Sequence, residues 1–487
     1  MPKKLQKPRI NILMIIVDAL RAQNMSVYGY CYNTTPNIAK LKKDSVFFEN
    51  SFSVTNVTDS SLTTIYTGLY PVNHGIKNHG YKVTIEELKK VSKVKFIQEY
   101  LSEKHGYNTF AFDFLERWHK RGFKDYFITY ESKALGEFMQ KIIQIILQKG
   151  ILSSKLFRRL RKISLKITKR FNAERITHYV ISYLKSELTK TRIRPFFGLI
   201  HYWDTHIPYY APPEISREFS LDFYNYCNYS INDVITGIKK KEAQIYLKSL
   251  LEEVGGVKAL LGLYDASIRY VDECLGVLID SLKDIGLYDN TLIILTSDHG
   301  ESLVEHNIFF DHHGLYNVTV KVPLLIKFPY NIYSGTQIKA FTQHVDIVPT
   351  ILDLIGDPEG LITNGKSILH IIERSTSTKN ALHKVLFFEE YFMERKRAII
   401  FNYSGCEFKY ICANSLQDSF CEYCGRIHGG LEELYNLSQD RDENVNLINN
   451  TIEPLKTYAR ILLSNTLKSI IAQYNAKLVK RKLRRYY

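Results

Sequence analysis

No stretch of this 487-residue chain approaches the ~18 consecutive apolar residues of a membrane-spanning helix, so no such helix is expected. A cleavable leader is not expected either: behind the basic start, the apolar run Ile12 to Val17 stops at Asp18 and lacks an A-x-A-like site. That run reads instead as a first core strand. Cysteine is scarce, and its seven copies, an odd number scattered along a long chain, do not suggest a disulfide scaffold. Internal repeats and low-complexity blocks are also missing. These absences together point to a cytoplasmic protein, with peripheral attachment at a membrane face as an added expectation.

Acidic residues are missing where bases are densest. Residues 141–170 carry ten Lys and Arg and no Asp or Glu, and residues 477–487 carry six more, again without an acid. The formal net charge of +15 therefore belongs to two appendages, and the rest of the chain is close to neutral. Within the first, Leu156, Leu160, Ile163 and Ile167 recur at helical spacing while Arg158, Arg159, Arg161, Lys162, Lys166 and Arg170 take the other faces. This predicts a basic amphipathic helix, suited to an anionic membrane surface or docked on the body with a solvated cationic face. No aromatic-interleaved motif accompanies the charge, which argues against nucleic acid as a partner.

An apolar share of 45% and a charged share of 24% are ordinary for a folded protein. Strand-like and helical stretches alternate: strands at 12–17, 109–112, 196–200, 291–296 and 322–328, helices at 36–43, 92–104, 176–188 and 262–282. Such alternation predicts an α/β fold with a mostly parallel sheet and helices on both faces, its ligand site beyond the carboxyl ends of the strands. After about residue 380 come strand-like pieces at 385–388 and 398–401, a turn-rich stretch and a terminal helix at 453–480. We read a catalytic domain over 1–380, with a basic helical insertion at about 134–172, and a small α+β subdomain over 381–487.

The most informative run is Ser297-Asp298-His299-Gly300-Glu301, directly after the apolar Leu292 to Leu295. An adjacent Asp and His at a strand mouth supply one hard oxygen and one imidazole to a divalent metal. Asp18 closes the first strand in the same way, so both carboxylates are expected on one edge of the sheet. The segment Thr55 to Pro71 supplies hydroxyls just before an expected helix, where a hydroxyl meets free N–H groups and the positive dipole end. By itself that segment reads rather as helix caps.

Ordered motifs then carry a resemblance. Asn11 to Arg21 with Thr35-Pro36-Asn37-Ile38, Thr67-Gly68-Leu69-Tyr70-Pro71 with His74-Gly75, and Pro195-Phe196-Phe197 through Asp204-Thr205-His206 form the first half. Thr296 to Glu301, His312-His313-Gly314-Leu315-Tyr316, Val322 to Ile326, Val345 to Thr350 and Glu433 to Leu437 form the second. Over about residues 10–450 the chain resembles the sulfatase family of the alkaline phosphatase superfamily. The resemblance implies an alkaline-phosphatase-like fold and a metal-dependent hydrolase of sulfate esters working through a covalent intermediate. It also implies one divalent ion (Ca, Mn or Zn) held by Asp18, Thr58, Asp298 and His299, and an anionic ester substrate on a glycan or lipid.

The family's nucleophile falls, by position, on Thr58. Family sulfatases carry there a C/S-x-P-x-R signature for oxidation to formylglycine. This chain has Thr58-Asp59-Ser60-Ser61-Leu62, which argues against formylglycine. Ala19 likewise stands where many sulfatases have a second Asp. The resulting set resembles the Thr-dependent phosphoryl hydrolases and transferases of the same superfamily, which keeps phosphate or phosphodiester chemistry as an alternative. A membrane-surface binding protein that kept the fold and lost turnover is a second. His206 and one of His312 or His313 are expected to donate to the transferring group or protonate the leaving alcohol. Arg21 either binds substrate or pairs with an acid, while His201 and His74 are read as packing or second-shell residues. Cys406, Cys412, Cys421 and Cys424, crowded with His428, are candidate ligands of a structural zinc, with free thiols or a disulfide as the other reading.

Overall fold

The computed structural model describes residues 10–130, 171–190, 194–219, 224–373 and 382–483. The basic amphipathic segment at 141–170 lies outside the described residues. Among the described residues, no helix is long and apolar enough to cross a membrane.

Fourteen strands are present among the described residues: β1 Asn11–Val17, β2 Val46–Phe48, β3 Ser51–Phe52, β4 Asn108–Asp113, β5 Asp125–Ile128, β6 Phe196–Tyr202, β7 Thr291–Thr296, β8 Leu324–Lys327, β9 Gln337–Ile338, β10 Thr342–Gln343, β11 Val385–Glu390, β12 Lys396–Tyr403, β13 Cys406–Ala413 and β14 Glu432–Asn436. Eight of them form one sheet in the order β5-β4-β6-β1-β7-β8-β2-β9. The five from β5 to β7 run parallel, whereas β8 is antiparallel to both β7 and β2. The sheet is therefore mostly parallel, as the alternation predicts.

The central strand shows why. β1 is buried along its whole length, and its side chains alternate between two cores. Leu13, Ile15 and Val17 face the core built with the helices Ala173–Lys190 and Val257–Asp284. Ile12, Met14 and Ile16 face the core of Leu62, Ile65, Ile97, Leu101, Ile347 and Ile351. A strand apolar on both faces can only sit between two layers of helices.

Element edges move by a few residues from the sequence expectation. The helix expected over 92–104 is Ile97–His105, where Glu99 accepts from the Phe96 N–H, and a further helix that the sequence reading did not place, Ile85–Val91, precedes it, opened by a capping box between Thr84 and Glu87. The turn-rich stretch after residue 401 hides a larger difference. β11 to β14 make a four-stranded antiparallel sheet, two strands more than the apolar runs suggest. β13 and β14 carry buried Lys409 and Glu433, so their pattern does not read as apolar.

One face of this second sheet packs on the body through Leu386, Phe388, Ala398 and Ile400 against Phe52, Leu315, Tyr316 and Val320. The other is covered by Leu455, Ala459, Leu463 and Ile470 of the terminal helix Glu453–Leu483. A fully buried ion pair pins the first contact. Lys409 Nζ lies 2.5 Å from Glu443 and donates to the Leu315 carbonyl and to Asn317 Oδ1 at 3.1 and 2.8 Å. Burial pushes the Lys409 ammonium down and the Glu443 carboxyl up, so the pair exists in charged form only through mutual contact. Lys409→Met is therefore expected to cost about 3–5 kcal/mol in urea unfolding by stranding Glu443, with part recovered in Lys409→Met/Glu443→Gln. A loss under about 1 kcal/mol would show that the pair does not hold the subdomain in place.

Candidate active site at the strand ends

Register places the two carboxylates. Ile16 of β1 lies level with His201 of β6 and Thr296 of β7, so Asp18 and Asp298, each two residues further on, leave the sheet side by side. Asp113 at the end of β4 comes level with His201 on the far side. Asp18, Asp298 and His299 are fully buried, and one ligand atom from each lies within 4.8 Å of the others.

The backbone after β1 is bent to serve this cluster. Ala19 adopts a left-handed φ of 55°, which lets its N–H donate to Asp298 Oδ1 at 3.1 Å while its carbonyl accepts from Tyr264 at 2.8 Å. Leu20 N–H donates to Ser297 Oγ at 2.9 Å. Beyond His299 the chain passes so close to its neighbour that a Cβ on Gly300 would lie 2.1 Å from the Val318 carbonyl oxygen. Only glycine fits there.

Thr58 opens the helix Thr58–Thr67, the whole of which is buried. Ser61, one turn on, donates to the Asp298 carbonyl at 2.5 Å and so latches the helix to the metal-type cluster. Thr58 Oγ1 lies 3.2 Å from His299 Nε2. His299 Nδ1 faces the Gly300 carbonyl at 2.7 Å, an oxygen that can only accept, so Nδ1 carries the proton and Nε2 presents its lone pair to Thr58.

The donor set fits a divalent cation. Both Asp18 oxygens and Asp298 Oδ2 are buried without a hydrogen-bond donor. Burial, then the neighbouring Asp298, pushes the Asp18 carboxyl up; Asp298 is held down against burial by His299 and His201. Two buried carboxylates short of donors, beside one imidazole lone pair, are the hard O,O,N set such an ion takes. His201 supports it from behind, with Nδ1 2.8 Å from Asp113 and Nε2 3.3 Å from Asp18 Oδ2. Burial would lower this imidazole, but Asp113 and Asp18 raise it to about 10. A carboxylate–histidine pair behind a ligand orients it.

The remaining sequence-predicted residues divide. His312 stacks on His299 with ring centroids 4.3 Å apart, and His206 lies 5.9 Å from His312, stacked on Trp203. Burial, then the neighbouring His299, depresses His312 to about 3, so it is neutral and its Nδ1 donates to the Asn56 carbonyl. His313 points elsewhere: its Nδ1 is 3.2 Å from Asp311, and its ring faces Tyr423 and His428. It groups with Cys421, Cys424 and His428, all buried, with one ligand atom from each inside 4.8 Å. The four-cysteine set is thereby corrected, because Cys406 and Cys412 sit on β13 against the core under the terminal helix.

Asp59, next to the nucleophile position, escaped the sequence reading. It is fully buried between His79, Arg117 and His119, at 3.0 Å from His79 and 2.9 Å from His119, and against burial His79 and His119 hold it well below the usual carboxylate range. Only a long-range view could find it, since Arg117 and His119 come from the loop after β4. Leu62, where family sulfatases carry Arg, is buried in the core.

Arg21 pairs with an acid: its Nη2 is 2.7 Å from Glu305 Oε1, while Nε and Nη1 are buried without hydrogen-bond partners. Against the upward push of burial, Arg21 brings Glu305 from 4.5 to about 2. The stability this pair adds is complete above pH 4.5 and is lost as pH falls through about 2. Since the carboxylate is a third exposed, the effect is about 1 kcal/mol. Urea unfolding between pH 5 and 2.5 is expected to lose that much more in the wild type than in Glu305→Gln; parallel curves would contradict it.

Comparison with known proteins gives this arrangement its place. The family model described as Sulfatase matches residues 10–357, and that of the C-terminal part of N-sulphoglucosamine sulphohydrolase matches 304–468. A "Sulfatase" of Formosa agariphila is 25% identical over 403 residues, covering 78% of this chain and 75% of its own. An N-acetylglucosamine-6-O-sulfatase of Bacteroides thetaiotaomicron is 24% identical over 456 residues, covering 80% and 75%. Among solved structures, the phosphonate monoester hydrolase of Agrobacterium radiobacter superimposes with a TM-score of 0.66 at 19% identity, covering 96% of both chains. Nothing in these likenesses supports a binding protein without turnover. With the family model spanning most of the chain and the strand-end cluster in place, this protein belongs to the sulfatase family.

Proposed function

We propose that the protein hydrolyses sulfate esters with Thr58 as its covalent nucleophile. The observation that carries this reading is Thr58 Oγ1 at the helix N-terminus, 3.2 Å from the His299 Nε2 lone pair and beside the buried Asp18–Asp298 pair. A divalent cation held by Asp18, Asp298 and His299 would lower the proton affinity of the Thr58 hydroxyl and offset the charge of the ester.

The protein's own residues supply the rest. Thr58 Oγ1, its proton passing to solvent, attacks sulfur; the bond from sulfur to the ester oxygen breaks, that oxygen leaves with the bonding pair and takes a proton, and water then attacks sulfur so that the Oγ1–sulfur bond breaks, sulfate leaves and Thr58 regains a proton. His206, stacked on Trp203 and tilted against His312 at 5.9 Å beside the stacked His299–His312 pair, is the imidazole we assign to give that proton. Asp113 and His201 hold Asp18 in position. Names of relatives make sulfated amino sugars the first substrates to assay.

A second reading, transfer or hydrolysis of phosphate or phosphonate esters, is favoured by the threonine itself and by the apolar Leu62 at the position of the family arginine. The same nucleophile serves both, so chromogenic sulfate monoesters, phosphate monoesters, phosphonate monoesters and phosphate diesters separate the readings. Thr58→Ala is expected to lower kcat by about 10³-fold or more on the preferred ester, and Thr58→Ser to keep part of it. Asp18→Asn is expected to lose both bound metal and turnover. Turnover that survives Thr58→Ala would remove the nucleophile assignment.

A further inference from the structure

We infer that the protein carries a second, structural metal site: a zinc ion held by His313, Cys421, Cys424 and His428. These four buried side chains are brought together from two loops distant in sequence, each offering one ligand atom within a 4.8 Å span. Two thiolates and two imidazoles in a closed, dry pocket are the donor set of a four-coordinate structural zinc.

The orientation of each side chain argues for an ion and not for chance packing. His313 Nδ1 faces Asp311 Oδ1 at 3.2 Å, and His428 Nδ1 faces the His306 carbonyl at 3.2 Å. The His428 ring is thus tied through Nδ1 to a carbonyl acceptor, which sets its tautomer and leaves Nε2 for a metal, while both ring nitrogens of His313 are buried without a hydrogen-bond partner. His428 Nε2 already lies 2.9 Å from Cys424 Sγ.

The cysteine loop has the form of a knuckle. A bridge between Phe420 and Ile427 closes it, Cys421 N–H donates to the Arg426 carbonyl at 2.7 Å, and Gly425 turns at a φ of 74°. Cys424 N–H points at Cys421 Sγ, 3.5 Å away, as a donor would toward a thiolate. Both cysteines are free thiols. The loop is further held by the Lys239 N–H on the Cys424 carbonyl at 2.6 Å and by Arg426 on the Thr236 carbonyl at 2.7 Å.

The position of this site gives it a consequence. His313 follows His312, the imidazole stacked on His299, so the ion would clamp the loop that carries His312 to the C-terminal subdomain. It is a positioning element: it touches no reacting atom, and it stands apart from the Asp18–Asp298–His299 set.

Full-length protein purified without added metal, then analysed by inductively coupled plasma mass spectrometry, tests the assignment. One zinc per chain is expected, retained in Asp18→Asn and in Cys406→Ser/Cys412→Ser, and lost in Cys421→Ser and Cys424→Ser with a drop in Tm. Because the cysteine variants risk misfolding, the wild type is read independently by zinc-edge X-ray absorption, with two sulfur neighbours at about 2.3 Å and two nitrogens at about 2.0 Å expected. Zinc absent from the wild type, zinc without sulfur neighbours, or zinc lost with Asp18 or with Cys406 and Cys412 would each overturn the proposal.

Discussion

Two carboxylates forced together in a dry place govern this molecule. Asp18 and Asp298 emerge from parallel neighbouring strands, buried and a few ångströms apart, with three of their four oxygens lacking a donor. Like charges in that setting repel strongly, so the fold is built to tolerate them only beside positive charge. His201 behind answers part of that demand, and a divalent cation held by Asp18, Asp298 and His299 would answer the rest. Much of the surrounding backbone, from the left-handed Ala19 to the glycine at 300, is arranged to bring donors to this point.

The same logic recurs at increasing distance. Asp59 is neutralised by Arg117, His79 and His119, Glu305 by Arg21, and Glu443 by Lys409. Each pairing sits at a joint: the helix that Thr58 opens, the strand-end loop and the second sheet. Charges buried at joints specify geometry more than they add stability, since apolar substitutes would pack as well but without fixing direction. The C-terminal sheet thus does more than cover the body; through Gly314 to Val320 it supports the loop on which His312 stands.

How much of this was legible in the sequence depends on range. Strand-end residues announce themselves locally: Asp18 and the Asp298-His299 pair each follow an apolar run, and the helix at Pro36 to Lys43 and the strand at Thr291 to Thr296 have the expected edges. β13 and β14 were hidden because their buried Lys409 and Glu433 find ion-pair partners in Glu443, beyond β14, and Lys396 of β12, and a hydrophobic pattern scores such residues as surface. His312 and His313 illustrate the limit. They are adjacent in sequence and alike in chemistry, yet one stacks on His299 and the other turns to Cys421 and Cys424.

The sequence by itself determined the class of fold, the family and the metal-type residues at the strand mouths, because apolar periodicity and short ordered motifs are local properties. Only the tertiary structure decided which carboxylates are level, which histidine faces Thr58, which acid Arg21 meets and which two of four cysteines share histidine partners. Those outcomes rest on strand register and on loops crossing hundreds of residues apart. Such distances set burial, and burial in turn sets the charge and the proton position on each group.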